Sequence, residues 1–300
     1  MTDQGHLYSC GLSEFGQLGN GETGEYFISA NKLAFANATK LERRTLFVQS
    51  AMDAGLPISS SSEESKTRMV PLVDSSSIVF ASIACGRNHT IAVEASSPDT
   101  TFSPRVFSWG SGAYGCLGHG SQVDEYRPRL IASLRGPLFA SNSPIRASAG
   151  TTCSMILTAR GHVYYWGKHR SVGEATMRPT IIDALANNGH VVTGLGAGNA
   201  TVVCSTATGS TVSWGQGPHG ELGYGERGGK SSAKPQFVEK LDKCIVTDVA
   251  CGYGHTLFLI RDNDAEDHKA VEKLKKLEES DLKQFIKECE SAETTQSKKK

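Results

Sequence analysis

An excess of charge of either sign is missing from this 300-residue chain, in which 31 Lys and Arg balance 31 Asp and Glu. Binding to a phosphate backbone regardless of its sequence draws on surplus cationic side chains. The balance excludes a chain-wide footprint of that kind and leaves room only for a local basic face. No apolar run reaches the roughly 18 residues that a membrane-spanning helix needs. The opening MTDQGHLY has neither the basic segment nor the apolar stretch of a secretory leader. The eight cysteines include no C-x-x-C spacing, so neither a zinc cluster nor a disulfide framework is indicated and reduced cytosolic or nuclear thiols are expected. Paired carboxylates, G-x-S-x-G and H-E-x-x-H are missing too, so no enzyme signature is present.

Glycine is abundant, 32 of 300 residues, and it recurs at fixed offsets. Residues 106–118 read VFSWGSGAYGCLG, and the pattern returns at 7–19 (LYSCGLSEFGQLG), with Cys10 in the Trp position, and at 211–223 (TVSWGQGPHGELG). A shortened copy is 163–173 (VYYWGKHRSVG). A second phrase precedes three of these copies, at 83–93 (IACGRNHTIAV), 147–157 (ASAGTTCSMIL) and 195–204 (LGAGNATVVC), and stands alone at 249–259 (VACGYGHTLFL). Its glycines, Gly86, Gly150, Gly198 and Gly252, are spaced by 64, 48 and 54 residues. The other recurring positions are the pairs Trp109-Gly110, Trp166-Gly167 and Trp214-Gly215, the lone Gly11, and His89 and His255. Short β runs repeating every 50 residues or so predict an all-β propeller of four-stranded blades. In the best copy the strands are expected at 78–84, 89–94, 105–109 and 128–131, the last carrying a proline suited to an edge. Cys85 and Cys251 alternate with Ala149 and Ala197 at one repeat position, which reads as a small buried residue.

About four blades' worth of repeat is present. Residues 1–36 supply only a Trp-Gly half, 37–70 are an insertion loop, 71–241 hold the repeats and 242–264 supply a first half with nothing after it. Two arrangements fit: the terminal halves complete one blade in a ring of four, or the chain is the later part of a longer propeller. The second is favoured because four is the low end of propeller rings. The insertion carries a serine run and the charged side chains Arg43, Arg44, Glu63, Glu64, Lys66 and Arg68; it is expected to be either a partner-binding departure from the repeat or disordered. Residues 265–290 lack Gly and Pro, are rich in Glu and Lys, and place Val271, Leu274, Leu277, Leu282, Phe285, Ile286 and Cys289 on one stripe, predicting an amphipathic helix before a basic tail.

Two patterns imitate chemistry. Gly110, Gly112 and Gly115, like Gly215, Gly217 and Gly220, match G-x-G-x-x-G after a strand, but more turn residues follow where a dinucleotide site needs a helix N-terminus. No cofactor is expected. The Cys-Gly-x-x-His phrase occurs in blades that would stand apart around a ring, so His89 and His255 are read as satisfying turn or strand groups rather than as a metal or nucleophile site.

The phrases CGRNHT (85–90), RVFSWGSGAYGCLGHG (105–120) and ACGYGHTLFL (250–259) resemble the regulator of chromosome condensation repeat family. The degenerate order of 163–179 and 210–233 is similar to the last blades of a family member. The resemblance spans residue 5 to about residue 262 and does not include the Glu/Lys helix. It implies a seven-bladed ring, with further blades and a basic tail ahead of the point where this chain starts. It also implies a non-catalytic scaffold that regulates Ran-, Rac- or Ral-type small GTPases. Chromatin, centromere and microtubule association in mitosis, and nuclear and cytoplasmic location, come with it. Guanine nucleotide exchange is the alternative activity, and a chromatin anchor a weaker one; no motif here marks the residues that exchange would need.

Overall fold

The structure is a computed structural model that describes residues 79–96, 103–168, 174–225 and 228–274 without a break, together with 1, 7–19, 21, 25–26, 39–40, 48–50 and 69–71. Residues 1–261 and 262–300 form two compact units. The first opens with β1 (Tyr8–Ser9), β2 (Gly11–Leu12), β3 (Glu25–Tyr26), β4 (Thr39–Lys40), β5 (Val48–Ser50) and β6 (Met69–Pro71). Three complete blades follow. They are β7 (Phe80–Cys85), β8 (His89–Glu94), β9 (Val106–Gly110) and β10 (Glu125–Leu130); β11 (Pro144–Ala149), β12 (Cys153–Thr158), β13 (Val163–Gly167) and β14 (Thr176–Ile181); and β15 (Val192–Ala197), β16 (Thr201–Thr206), β17 (Thr211–Gln216) and β18 (Ser231–Phe237). Last come β19 (Val246–Cys251) and β20 (Thr256–Ile260), a two-stranded half-blade.

Each complete blade is an antiparallel meander with one register. The first residue of the second strand faces the glycine of Trp-Gly: His89 with Gly110, Cys153 with Gly167, Thr201 with Gly215. That glycine has a positive φ, +101° at Gly110, and a Cβ there would stand 2.4 Å from the Asn88 carbonyl oxygen. Only glycine fits the position without strain. The outer strands shift register across their prolines, Pro128, Pro179 and Pro235, each time between the Trp-Gly glycine and the residue two before it. Proline cannot donate to the ladder, so the strand bulges there instead.

The second strands β8, β12 and β16 are almost wholly buried, which explains why their sequences are continuous apolar or small runs rather than alternating ones. The cores lie between blades. Ile91, Val93 and Val106 of the first complete blade pack on Ala147, Ile156, Tyr164 and Trp166 of the second. Met155, Leu157 and Val163 of the second pack on Leu195, Val202, Cys204 and Trp214 of the third. Leu7 packs with Phe80, Phe107 and Trp109 on the other face of the first. Successive complete blades therefore share their cores, and each contributes to the stability of the next.

The stretch read as an insertion loop holds three short strands. Thr39–Lys40 pairs with β1, and β5 and β6 pair with each other, with β5 lying parallel to β10 at the outer edge of the first complete blade. An outer strand offers unpaired backbone donors and acceptors, and a hairpin satisfies them. The alternation of Cys85 and Cys251 with alanine predicts burial, yet Cys85 is exposed and Cys251 half-buried. The same position is buried in a core at Ala197 and packs against one at Ala149, so the expectation holds in those copies and fails at Cys85, where the position opens on the central cavity. In the second unit a helix spans Ala265–Val271, its first amides at Glu266 and Asp267 capped by Asp264. The remainder of the expected 265–290 stripe, from residue 275 on, lies outside the described residues.

Candidate partner-binding mouth of the propeller

The repeated phrase builds one turn four times. The amide of Gly86, Gly150, Gly198 and Gly252 donates to the carbonyl of His89, Cys153, Thr201 and His255, at 2.8, 2.9, 2.8 and 2.8 Å. The four turns converge on an open cavity of about 500 Å³ at the inner ends of β7, β11, β15 and β19. Their approach is close: a Cβ on Gly86 would stand 2.5 Å from the Gly150 oxygen, one on Gly150 2.7 Å from the Gly198 oxygen, and one on Gly198 2.6 Å from the Gly252 oxygen. Thr151 reinforces the step, its amide donating to the Gly198 carbonyl at 3.2 Å and its hydroxyl to Asn199 Oδ1 at 2.8 Å.

The residue that follows each turn glycine lines the mouth, and it differs in all four copies: Arg87, Thr151, Asn199 and Tyr253. Tyr253 is 78% exposed. A cation, a hydroxyl, an amide and a phenol are thus held on identical backbone supports around one concave opening. Such a surface suits recognition, with the turns fixing position and the variable residues fixing specificity. Sequence reasoning missed all four, because a search for recurrence passes over the one position of the phrase that does not recur. Deeper along the inner strands, Arg146 of β11 reaches Asp248 of β19 in an ion pair, which holds the Asp248 carboxyl below its ordinary range.

The repeat histidines part company. His89 is buried with Nε2 3.0 Å from Ser154 Oγ of the next blade, and burial pushes its pKa down to about 4, against a smaller opposing effect of a hydrogen bond accepted by the Cys153 backbone. His255 is exposed. His119 lies 3.0 Å from Ser108 Oγ, and burial, helped by Arg129 and Arg178, holds it neutral. Cys116 and Cys153 are buried thiols, both pushed up to about 12 by desolvation. Among the described residues no cluster of three His, Cys, Asp or Glu has the geometry to hold a metal ion.

The G-x-G-x-x-G loop of the first complete blade has its donors committed. Gly112 N donates to Asp124 Oδ1 at 2.8 Å, Tyr114 N to Gln122 Oε1 at 3.2 Å and Gly115 N to the Gly112 carbonyl at 2.9 Å. A pyrophosphate needs such amides free. The repeat tryptophans also have assigned tasks: Trp109 Nε1 donates to the Gln17 carbonyl at 3.0 Å and Trp166 Nε1 to the Cys116 carbonyl at 2.7 Å, each bond crossing to the preceding blade. Trp214 is buried among residues of the second and third complete blades. The charged side chains singled out in the insertion, Arg43, Arg44, Glu63, Glu64, Lys66 and Arg68, lie outside the described residues.

Four-stranded antiparallel sheets packed face to face, with their first strands around a common axis, define a β-propeller. Residues 105–157 and 209–259 match the regulator of chromosome condensation (RCC1) repeat, and the chain carries repeats of that family. It is 34% identical to the human protein RCC2 over 93% of its own length and 48% of the relative's. The Xenopus laevis protein RCC2 homolog matches with the same identity and the same two shares. The chain thus spans about half the length of these curated relatives. Among solved structures, Prp20p from Saccharomyces cerevisiae, studied for its binding to Gsp1p and histones, superposes with a TM-score of 0.58 at 21% identity, over 88% of this chain and 53% of that one. Human WBSCR16 superposes with the same TM-score and identity, over 87% and 55%.

Proposed function

We propose that the chain is an interaction scaffold that regulates a small GTPase, with the mouth lined by Arg87, Thr151, Asn199 and Tyr253 as its contact surface. The observation that carries this reading is the mouth itself: four identical turns presenting four different side chains around an open cavity of about 500 Å³. The similarity to the proteins RCC2 supports the GTPase assignment, and Prp20p, of similar fold, binds the GTPase Gsp1p. Binding without catalysis is the reading adopted, and guanine nucleotide exchange is the alternative that the assay below separates from it. Work at mitotic chromosomes, the centromere or microtubules, from a nuclear and cytoplasmic pool, is the biological setting that the same similarity suggests.

The test is a binding and release assay with purified Ran, Rac and Ral carrying a fluorescent guanine nucleotide. The scaffold reading expects binding to one of them, weakened at least tenfold by Arg87→Glu with Tyr253→Ala, and no faster nucleotide release. Accelerated release would make the chain an exchange factor. Binding to none of the three, or binding indifferent to the double substitution, would overturn the proposed surface.

A further inference from the structure

The outer strands of the three complete blades repeat a feature that the mouth does not use. Glu125, Thr176 and Ser232 of β10, β14 and β18 face the glycine of Trp-Gly. Two residues further on, each strand carries a cation, Arg127, Arg178 and Lys234, and a proline follows it, Pro128, Pro179 and Pro235. The register shifts across this pair in every complete blade, and a bulge of that kind re-aims a side chain away from the regular ladder. All three cations are exposed.

The two arginines are held at the seams between blades. Gly21 N donates to the Tyr126 carbonyl at 2.8 Å and Gly120 N to the Met177 carbonyl at 3.0 Å, so the residue before each arginine is bonded to a loop of the preceding repeat. A Cβ on Gly21 would stand 2.5 Å from Arg127 Nε and 3.1 Å from Cζ, and one on Gly120 2.6 Å from Arg178 Nη2 and 2.7 Å from Cζ. Each guanidinium therefore rests with its face against a glycine, which fixes its place without using its N–H donors. Among the described residues none of the three cationic side chains has a hydrogen-bond or ion-pair partner, whereas Arg105, Arg129 and Arg146 are paired with Glu94, Glu125 and Asp248.

We infer that this row is a docking track for an extended acidic peptide of a partner protein, whose carboxylates meet Arg127, Arg178 and Lys234 in turn along the outer strands. A guanidinium already fixed in place matches a carboxylate through two parallel N–H bonds, and a lysine adds a point charge. Three observations favour a peptide over a nucleic acid. The cations occupy one position in successive blades and so follow an arc, which a flexible peptide traces and a duplex, stiff over about 50 nm, does not. Single strands are held by aromatic platforms as well as by charge, and the residue before each cation is Tyr126, Met177 or Ala233, with no recurring ring. The balanced total charge supplies no wider attraction to a phosphate backbone.

Fluorescence anisotropy of the full chain with a labelled peptide of alternating Glu and Gly, about 20 residues long and so able to extend about 70 Å, tests this. Binding that added salt weakens is expected. It should fall at least tenfold when Arg127→Gln, Arg178→Gln and Lys234→Gln are combined, with an unchanged circular dichroism spectrum, and equally when Gln replaces Glu in the peptide. Arg135→Gln with Arg160→Gln and Lys240→Gln, which removes the same charge at exposed positions off the row, should leave the affinity little changed. Failure of the Glu peptide to bind, or equal losses from the two triple variants, would overturn the inference. So would tighter binding of a labelled DNA duplex or of polyuridine RNA that the row variant abolishes.

Discussion

Replacing Trp166 with alanine should cost this protein a large part of its stability, and the structure separates the contributions. The indole is fully buried, packed with Ile91, Val93, Ile156 and Tyr164, and a Cβ on Gly118 would stand 2.9 Å from its Nε1. Truncating a buried aromatic of this kind costs about 3–5 kcal/mol through lost burial and a cavity that rigid neighbours cannot fill. The hydrogen bond is a smaller share. The Cys116 carbonyl that accepts from Trp166 Nε1 also accepts from Ser154 Oγ at 2.7 Å, so it keeps a partner when the indole is lost. Trp166→Phe should therefore cost only about 1–2 kcal/mol, the worth of one net hydrogen bond plus a modest loss of volume. Urea unfolding followed by circular dichroism measures both, provided the slopes with denaturant stay equal. A loss under about 1 kcal/mol for alanine, below the range for buried aromatics, would refute the argument that the core lies between blades. Equal costs for phenylalanine and alanine would refute the division between packing and hydrogen bond.

Further outcomes follow from other positions. His89, pushed down to about 4 from an ordinary 6.5, is bare of a proton in the folded chain where the unfolded chain binds one. Stability is complete above pH 6.5 and falls, by about 3 kcal/mol from this residue, as the pH drops toward 4; His89→Gln should flatten that slope in denaturation curves taken at pH 7, 6 and 5. Iodoacetamide at pH 8 should label the exposed Cys10 and Cys85 in the folded protein and leave Cys116 and Cys153, raised to about 12, untouched until urea is added, as peptide mapping would show. Millimolar NAD or ATP should leave the thermal midpoint in a fluorimetric melt unchanged, because the loop amides at 112 and 114 are held by Asp124 and Gln122.

The strands of the complete blades are legible in the sequence because each contains a feature that only one backbone geometry tolerates. The Trp-Gly glycine must face the start of the second strand, so its spacing marks two strands at once, and the strand expected at 89–94 forms over those residues. The interblade bonds are not legible. Their acceptors are the carbonyls of Gln17 and Cys116, and every residue has a carbonyl. The exposure of Cys85 escapes a sequence reading because small residues serve clearance and packing alike, and sequence does not tell which side of a strand faces an open axis. The partner of His89 is Ser154, 65 residues away, beyond any local pattern. The short strands Val48–Ser50 and Met69–Pro71 are too brief for an alternation to show.

The inner-turn glycines have a consequence for curvature. Each hydrogen in place of a Cβ lets the next carbonyl approach along the axis, while the tryptophan-sized side chains at larger radius hold the same two blades apart. The angle between neighbours is set by that difference between a narrow hub and a wide rim. Alanine at Gly150 would push outward at the hub alone, flattening the wedge between the second and third complete blades. A ring tolerates little of this, because an error in one wedge is carried round to the joint where the ends must meet.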